Sequence, residues 1–170
     1  MSDADRRDPG DVGEQPPTLR SLSEKAITLW RVTTLGRGAL ITAVLVGAEI
    51  VIGLPLPTGV LGGAAAVLTL IAVATLPRLR WQAWGFALRE RDLYMRHGVI
   101  FRTTSIVPHA RIQHVDTRHG PVDRWLGLAS VVVFTAGNRG AILSIPALEA
   151  DEAEEIRDQL AAQSGVGDAV

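Results

Sequence analysis

The chain has no cysteine, which excludes disulfides, thiolate nucleophiles and Cys-ligated metals. Lys25 is its only lysine, and aromatic residues make up 5% of the 170 residues. With one Tyr, three Phe and four Trp, mostly among apolar neighbours, the sequence lacks the basic residues interleaved with aromatics that single-strand binding requires. Nucleic acid is not expected as a partner. Glycine pairs fall inside an apolar run (Gly62-Gly63) or a turn (Gly137-Asn138-Arg139-Gly140), so no phosphate loop is formed. No G-x-S-x-G elbow frames Ser105 or Ser130 as a nucleophile. His109, His114 and His119 recur every five residues, a step that alternates strand faces and does not assemble a metal site. The expectation is a chain that is not an enzyme, with no metal and no cofactor; a reaction built on His114 and Asp116 is the least favoured reading.

Long apolar runs are what the sequence does have. Residues 38–76 hold two of them, 39–54 and 60–76, broken only by Pro55-Leu56-Pro57-Thr58-Gly59. Each is about the shortest run that crosses roughly 30 Å of hydrocarbon at roughly 1.5 Å per helical residue. So tight a turn makes a hairpin, with both chain ends on one side. Lys25, Arg31 and Arg37 precede the first span, Arg78 and Arg80 follow the second, and the turn carries no charge. The positive-inside rule then predicts a two-span, multi-pass protein of the cell membrane with both termini cytoplasmic and the lipid bilayer as its first partner. The first run lies deep in the chain and leads into a second span, so it reads as an anchor rather than a cleavable signal. Gly59 and Gly63 form a GxxxG, and Gly62/Ala66 and Ala43/Gly47 repeat the small-residue spacing, which permits close helix approach within the hairpin or between copies. Glu49 is the exception, since an ionisable group costs about 2.5–3.5 kcal/mol at the midplane. It reads either as a polar or proton-linked contact with another membrane protein or, preferably, as a carboxyl near the outer end that snorkels or is protonated.

Residues 1–20 are polar and predicted to be disordered. Residues 21–37 read as a juxtamembrane helix opened by a Ser21–Glu24 capping box, with Leu22, Ala26, Leu29 and Trp30 at helical spacing. The soluble domain spans 77–163, and 164–170 is expected to fray. Ten arginines against four carboxylates give +6 over 77–148, while seven carboxylates against one arginine give −6 over 149–170. The basic body is either drawn to anionic headgroups, at about 1 kcal/mol per well-placed charge, or simply solvated. Alternating segments at 84–88, 93–96, 99–101, 103–107, 112–119, 128–136 and 141–145 predict about seven antiparallel strands. Between the last long ones, Gly120 to Gly127 reads as one helical turn with Val122, Trp125 and Leu126 on one side. A helix from about Asp151, with Glu154 completing a capping box and Ala153, Ile156 and Leu160 as its apolar stripe, closes the chain. The fold class is therefore an α+β membrane protein: a two-helix transmembrane hairpin, then an antiparallel β sandwich or barrel with a C-terminal α-helix.

The run Ile106-Val107-Pro108-His109-Ala110-Arg111-Ile112-Gln113-His114-Val115-Asp116, followed by Gly120-Pro121, Arg124-Trp125-Leu126-Gly127-Leu128-Ala129, Phe134-Thr135-Ala136-Gly137 and Ile145-Pro146-Ala147-Leu148, resembles the YdbS-like bacterial PH-domain membrane proteins over about three quarters of the chain. The resemblance implies a pleckstrin-homology-like fold at the membrane, with no established activity or agreed ligand. Arg111, Gln113, His114 and Asp116 form the most polar cluster within a strand. They line a binding site, or they satisfy the backbone of the 120–127 loop. Arg124 and Trp125 form a basic and aromatic pair suited to a membrane interface, although Trp125 reads more readily as a core plug beside Val122 and Leu126. Two functions follow. One is a non-catalytic, membrane-anchored PH-like module that binds a protein, a peptide or a lipid headgroup, or self-associates as a homo-oligomer. The alternative is an accessory subunit of a membrane transport or envelope complex acting through the hairpin, in which Glu49, Gly59 and Gly63 matter most.

Overall fold

The apolar runs are shorter than the helices that carry them. The computed structural model describes residues 18–53, 57, 59–136 and 142–165; the 1–17 tail, most of the turn at 54–58, the hairpin turn expected at 137–140 and the 166–170 end lie outside the described residues. Helix α1 covers Lys25–Ile52 and α2 covers Val60–Ala83, both long and apolar enough to cross a membrane. At 1.5 Å per residue they measure about 42 and 36 Å, more than the roughly 30 Å of a hydrocarbon core. The excess is used at the domain end. No proline interrupts α1, so it runs unbroken past residue 37, and Ala26 and Leu29 in its first turns, with Leu22 just before it, are buried in the core of the soluble domain. The expected Ser21–Glu24 box does not form: Glu24 is the N-cap without a side-chain bond, and the Ser23 hydroxyl donates instead to Glu149.

The contacts Glu49 with Gly59 and Leu61, Val46 with Gly62, and Thr69 with Gly38 keep α1 and α2 in step along their length. A methyl group on Gly38 would overlap the Thr69 side chain, and one on Gly62 would overlap Val46, whereas Gly47, Gly59 and Gly63 face open space. Of the small-residue faces, only the one through Gly62 lies inside the hairpin; the GxxxG of Gly59 and Gly63 does not. Gly38→Ala is accordingly expected to lower the thermal midpoint in detergent micelles by an overpacking cost of about 1–3 kcal/mol. Gly63→Ala should leave it unchanged or raise it slightly, since Ala is the better helix former.

Beyond α2, strands β1 (Gly85–Leu88), β2 (Asp92–His97) and β3 (Thr103–Pro108) form one antiparallel sheet, and β4 (Ile112–Arg118), β5 (Leu128–Thr135) and β6 (Ile142–Glu149) form a second. The described strands number six rather than seven, and the two sheets do not close into a barrel. The missing strand is 99–101. Gly98 takes φ 111°, which folds the Phe101 carbonyl back over it, and β2 pairs directly with β3 from His97 opposite Thr103. Local alternation suggested a strand there, but a strand needs a partner edge and this one was already occupied.

Helix α3 (Pro121–Leu126) follows β4, and α4 (Ala150–Ser164) packs on the second sheet, its predicted stripe Ala153, Ile156 and Leu160 joining one core with Leu128, Val131, Val133, Ile145 and Leu148 of that sheet and Phe86, Leu93 and Met95 of the first. Its capping box does not form either, because the N-cap is Glu149 and its side chain is engaged elsewhere. That side chain is part of a clasp. Glu149 accepts hydrogen bonds from Lys25 Nζ (2.9 Å) and Ser23 Oγ (2.6 Å) at the start of α1, and Trp81 Nε1 near the end of α2 donates to the Leu22 carbonyl at 2.9 Å. Both helices are thereby tied to the domain.

The Lys25 hydrogen bond, then that of Ser23, hold the Glu149 carboxyl below its ordinary value against the opposing effect of burial, with the Lys25 charge adding a smaller contribution. A carboxyl lowered in the folded state contributes stability above its unfolded pKa and loses it as pH falls through the folded one. Both partners are about half exposed, so the contribution is about 1 kcal/mol or less. Glu149→Gln should therefore lower the midpoint at neutral pH, and the gap from the parent should close on acidification below the carboxylate range; a gap that widened would refute the clasp.

Candidate functional site

Pro108 ends β3, and a 3₁₀ turn over His109–Arg111 leads into β4. The Arg111 carbonyl accepts the Ala136 amide at 2.9 Å, which extends the pairing past Thr135. A bulge between Ile112 and His114 then shifts the register. One added residue changes which side chains face out: Ile112 and Val115 are buried, Gln113 is left exposed, and His114, Asp116 and Arg118 share the outer face of an edge strand.

On that face His114 Nε2 lies 2.6 Å from Asp116 Oδ1. The His114 ring stands 5.9 Å from that of Phe134 on β5, and the Arg118 guanidinium lies 5.7 Å from the same ring, within cation–π range. Across from Phe134 in register is Ile142 on β6, 60% exposed. The result is an open strip combining a carboxylate, an imidazole, a guanidinium, an aromatic ring and an aliphatic side chain. Such a surface suits recognition. Ser130 is in register with Arg118, four residues and about 13 Å along the strand from His114.

The six domain candidates divide between two ends of the second sheet. Ile112 pairs with Thr135 at one end, whereas Leu128 pairs with Glu149 at the other, where Glu149 clasps the start of α1. Seven residues of strand separate these ends by about 23 Å. Arg111, Gln113, His114 and Asp116 belong to the half far from the hairpin. Arg124 and Trp125 sit on α3, which packs against β5 and α1. Trp125 is 76% exposed and is not a core plug; Val122 and Leu126, one turn apart, fill that place, and Trp125 stands about 100° round the helix from Leu126. Nor do the β4 polar residues serve the 120–127 loop. Asp123 Oδ2 accepts the Gly120 amide at 2.8 Å, and His119 Nδ1 meets the Leu128 carbonyl at 3.2 Å.

In the hairpin, Glu49 is only 5% exposed and does not snorkel. Its two carboxylate oxygens accept the backbone amides of Gly59 (2.6 Å) and Leu61 (2.5 Å). These amides open α2, whose N-cap Gly59 sits at φ 98° with no side chain to cap the helix itself. Glu49 supplies that cap from the other helix, at the positive end of the macrodipole. Its separation of ten residues from Gly59 across a Pro-Gly turn was the available signal.

Sequence reasoning also missed Phe134 and Ile142, which cross-strand register brings beside His114, and Arg118, whose guanidinium reaches the same Phe134 ring from further along β4. Among the described residues, no group of three His, Asp or Glu side chains could hold a metal ion.

A family model described as Bacterial PH domain matches residues 31–164. The chain is also 35% identical over 111 residues to the UPF0699 transmembrane protein YdbS of Bacillus subtilis (strain 168), covering 65% of this chain and 68% of that protein. No solved structure matches.

Proposed function

The chain belongs to the bacterial PH domain family and is a two-span membrane protein, and from that premise we propose that it is a non-catalytic adaptor that holds a protein or peptide partner at the membrane face through the outer strip of its second sheet. One observation carries this reading: Arg111, Gln113, His114 and Asp116 lie at the start of the edge strand β4, in the half of the sheet farthest from the hairpin, with Phe134 of β5 and Ile142 of β6 across from His114 and the Arg118 guanidinium reaching the same ring. A soluble partner reaches that half more easily than a lipid headgroup does. An edge strand also offers backbone groups for strand addition, with the out-facing side chains as specificity pockets. The charges flanking the spans support a cytoplasmic placement of both ends. The working division is a tail over 1–20, a helix leading into the bilayer over 21–37, the hairpin over 38–76, the PH-like domain over 77–163 and a second tail over 164–170.

Arg111→Ala and His114→Ala are expected to weaken a partner captured by crosslinking in native membranes by about 1–2 kcal/mol each, or 5–30-fold, while the domain unfolds at the same denaturant concentration as the parent. Arg124→Ala should change that capture little. Equal capture by all three variants would remove the strip from the site.

The alternative, an accessory subunit acting through the hairpin, draws support from the open face of Gly59 and Gly63. It is weakened by Glu49, whose oxygens are already engaged within the hairpin. Exchange of the hairpin for an unrelated one of equal length decides: partner capture persists under the first reading and vanishes under the second.

A further inference from the structure

Val99, Ile100 and Phe101 form the tip of the loop between β2 and β3, and Ile100 and Phe101 are each 85% exposed. Leaving such side chains in water forgoes about 1.5–3 kcal/mol apiece, and a loop tip is where polar residues are easiest to place. The loop is also firmly held. Gly98 at φ 111° lies under the Phe101 carbonyl, where any Cβ would collide with backbone. His97 stacks on Trp84 with ring centroids 4.9 Å apart, and Trp84 is the C-cap of α2. The apolar tip is thus fixed beside the domain end of the second span.

What lies beside it indicates the occupant. Between the loop and the helix ends is an open cleft of about 700 Å³ lined by Trp30, Leu76, Leu79, Arg80, Trp84 and Ile100. Leu76 and Leu79 are exposed, and Leu68 and Ile71 extend that side of α2 further along the span, where they face hydrocarbon if α2 spans. The apolar loop therefore abuts the lipid-facing surface of the hairpin. Its polar surroundings are those of a headgroup region: two tryptophans, and Arg80 and Arg102, neither of which makes an ion pair with a described residue.

We propose that the β2–β3 loop is a third membrane contact: Ile100 and Phe101 insert into the leaflet that faces the domain, and a phospholipid occupies the cleft behind them with its phosphate at Arg80. The proposal rests on the hairpin spanning the bilayer and is independent of any partner at β4. With two spans and the clasp at Glu149, it fixes the rotation of the domain on the membrane and keeps the His114 half of the sheet turned away from lipid.

The absence of native cysteine allows a direct test on the full chain. Single cysteines at positions 68, 101 and 142 are labelled with the environment-sensitive fluorophore NBD in vesicles of phosphatidylcholine and phosphatidylglycerol. The expected result is blue-shifted emission at 68 and 101, quenched several-fold more by nitroxide-bearing lipid than by aqueous iodide, with the reverse at 142. Iodide quenching at 101 equal to that at 142 overturns the proposal, and so does a label at 101 shielded from both quenchers, because protein then covers the loop. If 101 fails while 68 remains lipid-quenched, the spanning hairpin stands and only the loop contact is lost; if 68 fails too, both fall. Phe101→Asp in a protein labelled at position 100 should abolish most of the lipid quenching there, and unchanged quenching would contradict insertion. Arg80→Gln should lower the co-purified anionic phospholipid at least two-fold, and an unchanged amount would overturn the assignment of the phosphate.

Discussion

Glu49→Leu is expected to be the most damaging single change in the hairpin, even though it makes the first span more apolar. The substitution removes the acceptors of the Gly59 and Leu61 amides, each left unpaired at a cost of about 1–3 kcal/mol, and leaves the start of α2 uncapped. Leucine is cheaper than glutamate to place in hydrocarbon by roughly 3 kcal/mol, so insertion of each span is not impaired. The loss falls on the pairing of the helices, by about 2–4 kcal/mol after relaxation. Glu49→Gln keeps an acceptor oxygen and should recover about half of it. Reversible unfolding in bicelles, read by energy transfer between labels on α1 and α2, separates these cases. A Glu49→Leu hairpin as stable as the parent would show that the carboxylate is not the cap described here.

Leu22→Ala is expected to have a similar effect on the domain, although residue 22 precedes α1 and lies outside the segment matched by the family model. Its side chain is 2% exposed within the core, and its carbonyl receives the Trp81 indole. Deleting a buried leucine typically costs about 2–5 kcal/mol. Loss of packing at this position should also loosen the junction between domain and hairpin. Denaturant unfolding followed by tryptophan fluorescence should show the midpoint falling with little change in slope. Ile142→Ala, on the exposed strip, should stay within about 0.5 kcal/mol of the parent.

The parts legible from sequence were those with a period or a length. The two apolar runs, the stripe of Ala153, Ile156 and Leu160 and the glycine-bounded α3 all announce themselves through local pattern. The parts that were not legible depend on pairing across the chain. Residues 99–101 alternate as a strand does, yet β3 already occupies the edge they would need. Trp125 has apolar neighbours, but a six-residue helix turns only two of its side chains inward. The first turns of α1 look like a separate juxtamembrane segment until β1, β6 and α4 supply the core that buries Leu22, Ala26 and Leu29. Glu49 and the meeting of His114 with Phe134 and Ile142 belong to the same class, because those partners lie ten or more residues away and are set by the pairing of helices or strands.

Domain and hairpin are held as one body by the buried start of α1, the Glu149 clasp and the Trp81 hydrogen bond, and that rigidity is what lets the chain present a fixed face to a partner. The measurement that tests it most directly is the distance distribution between nitroxides at positions 44 and 142, exposed sites on α1 and β6, recorded by double electron–electron resonance in lipid bilayers. A single narrow distribution is expected, broadening in Leu22→Ala. A broad distribution in the parent chain would mean that the domain swings on a flexible tether, and the fixed presentation of the β4 strip would fall with it.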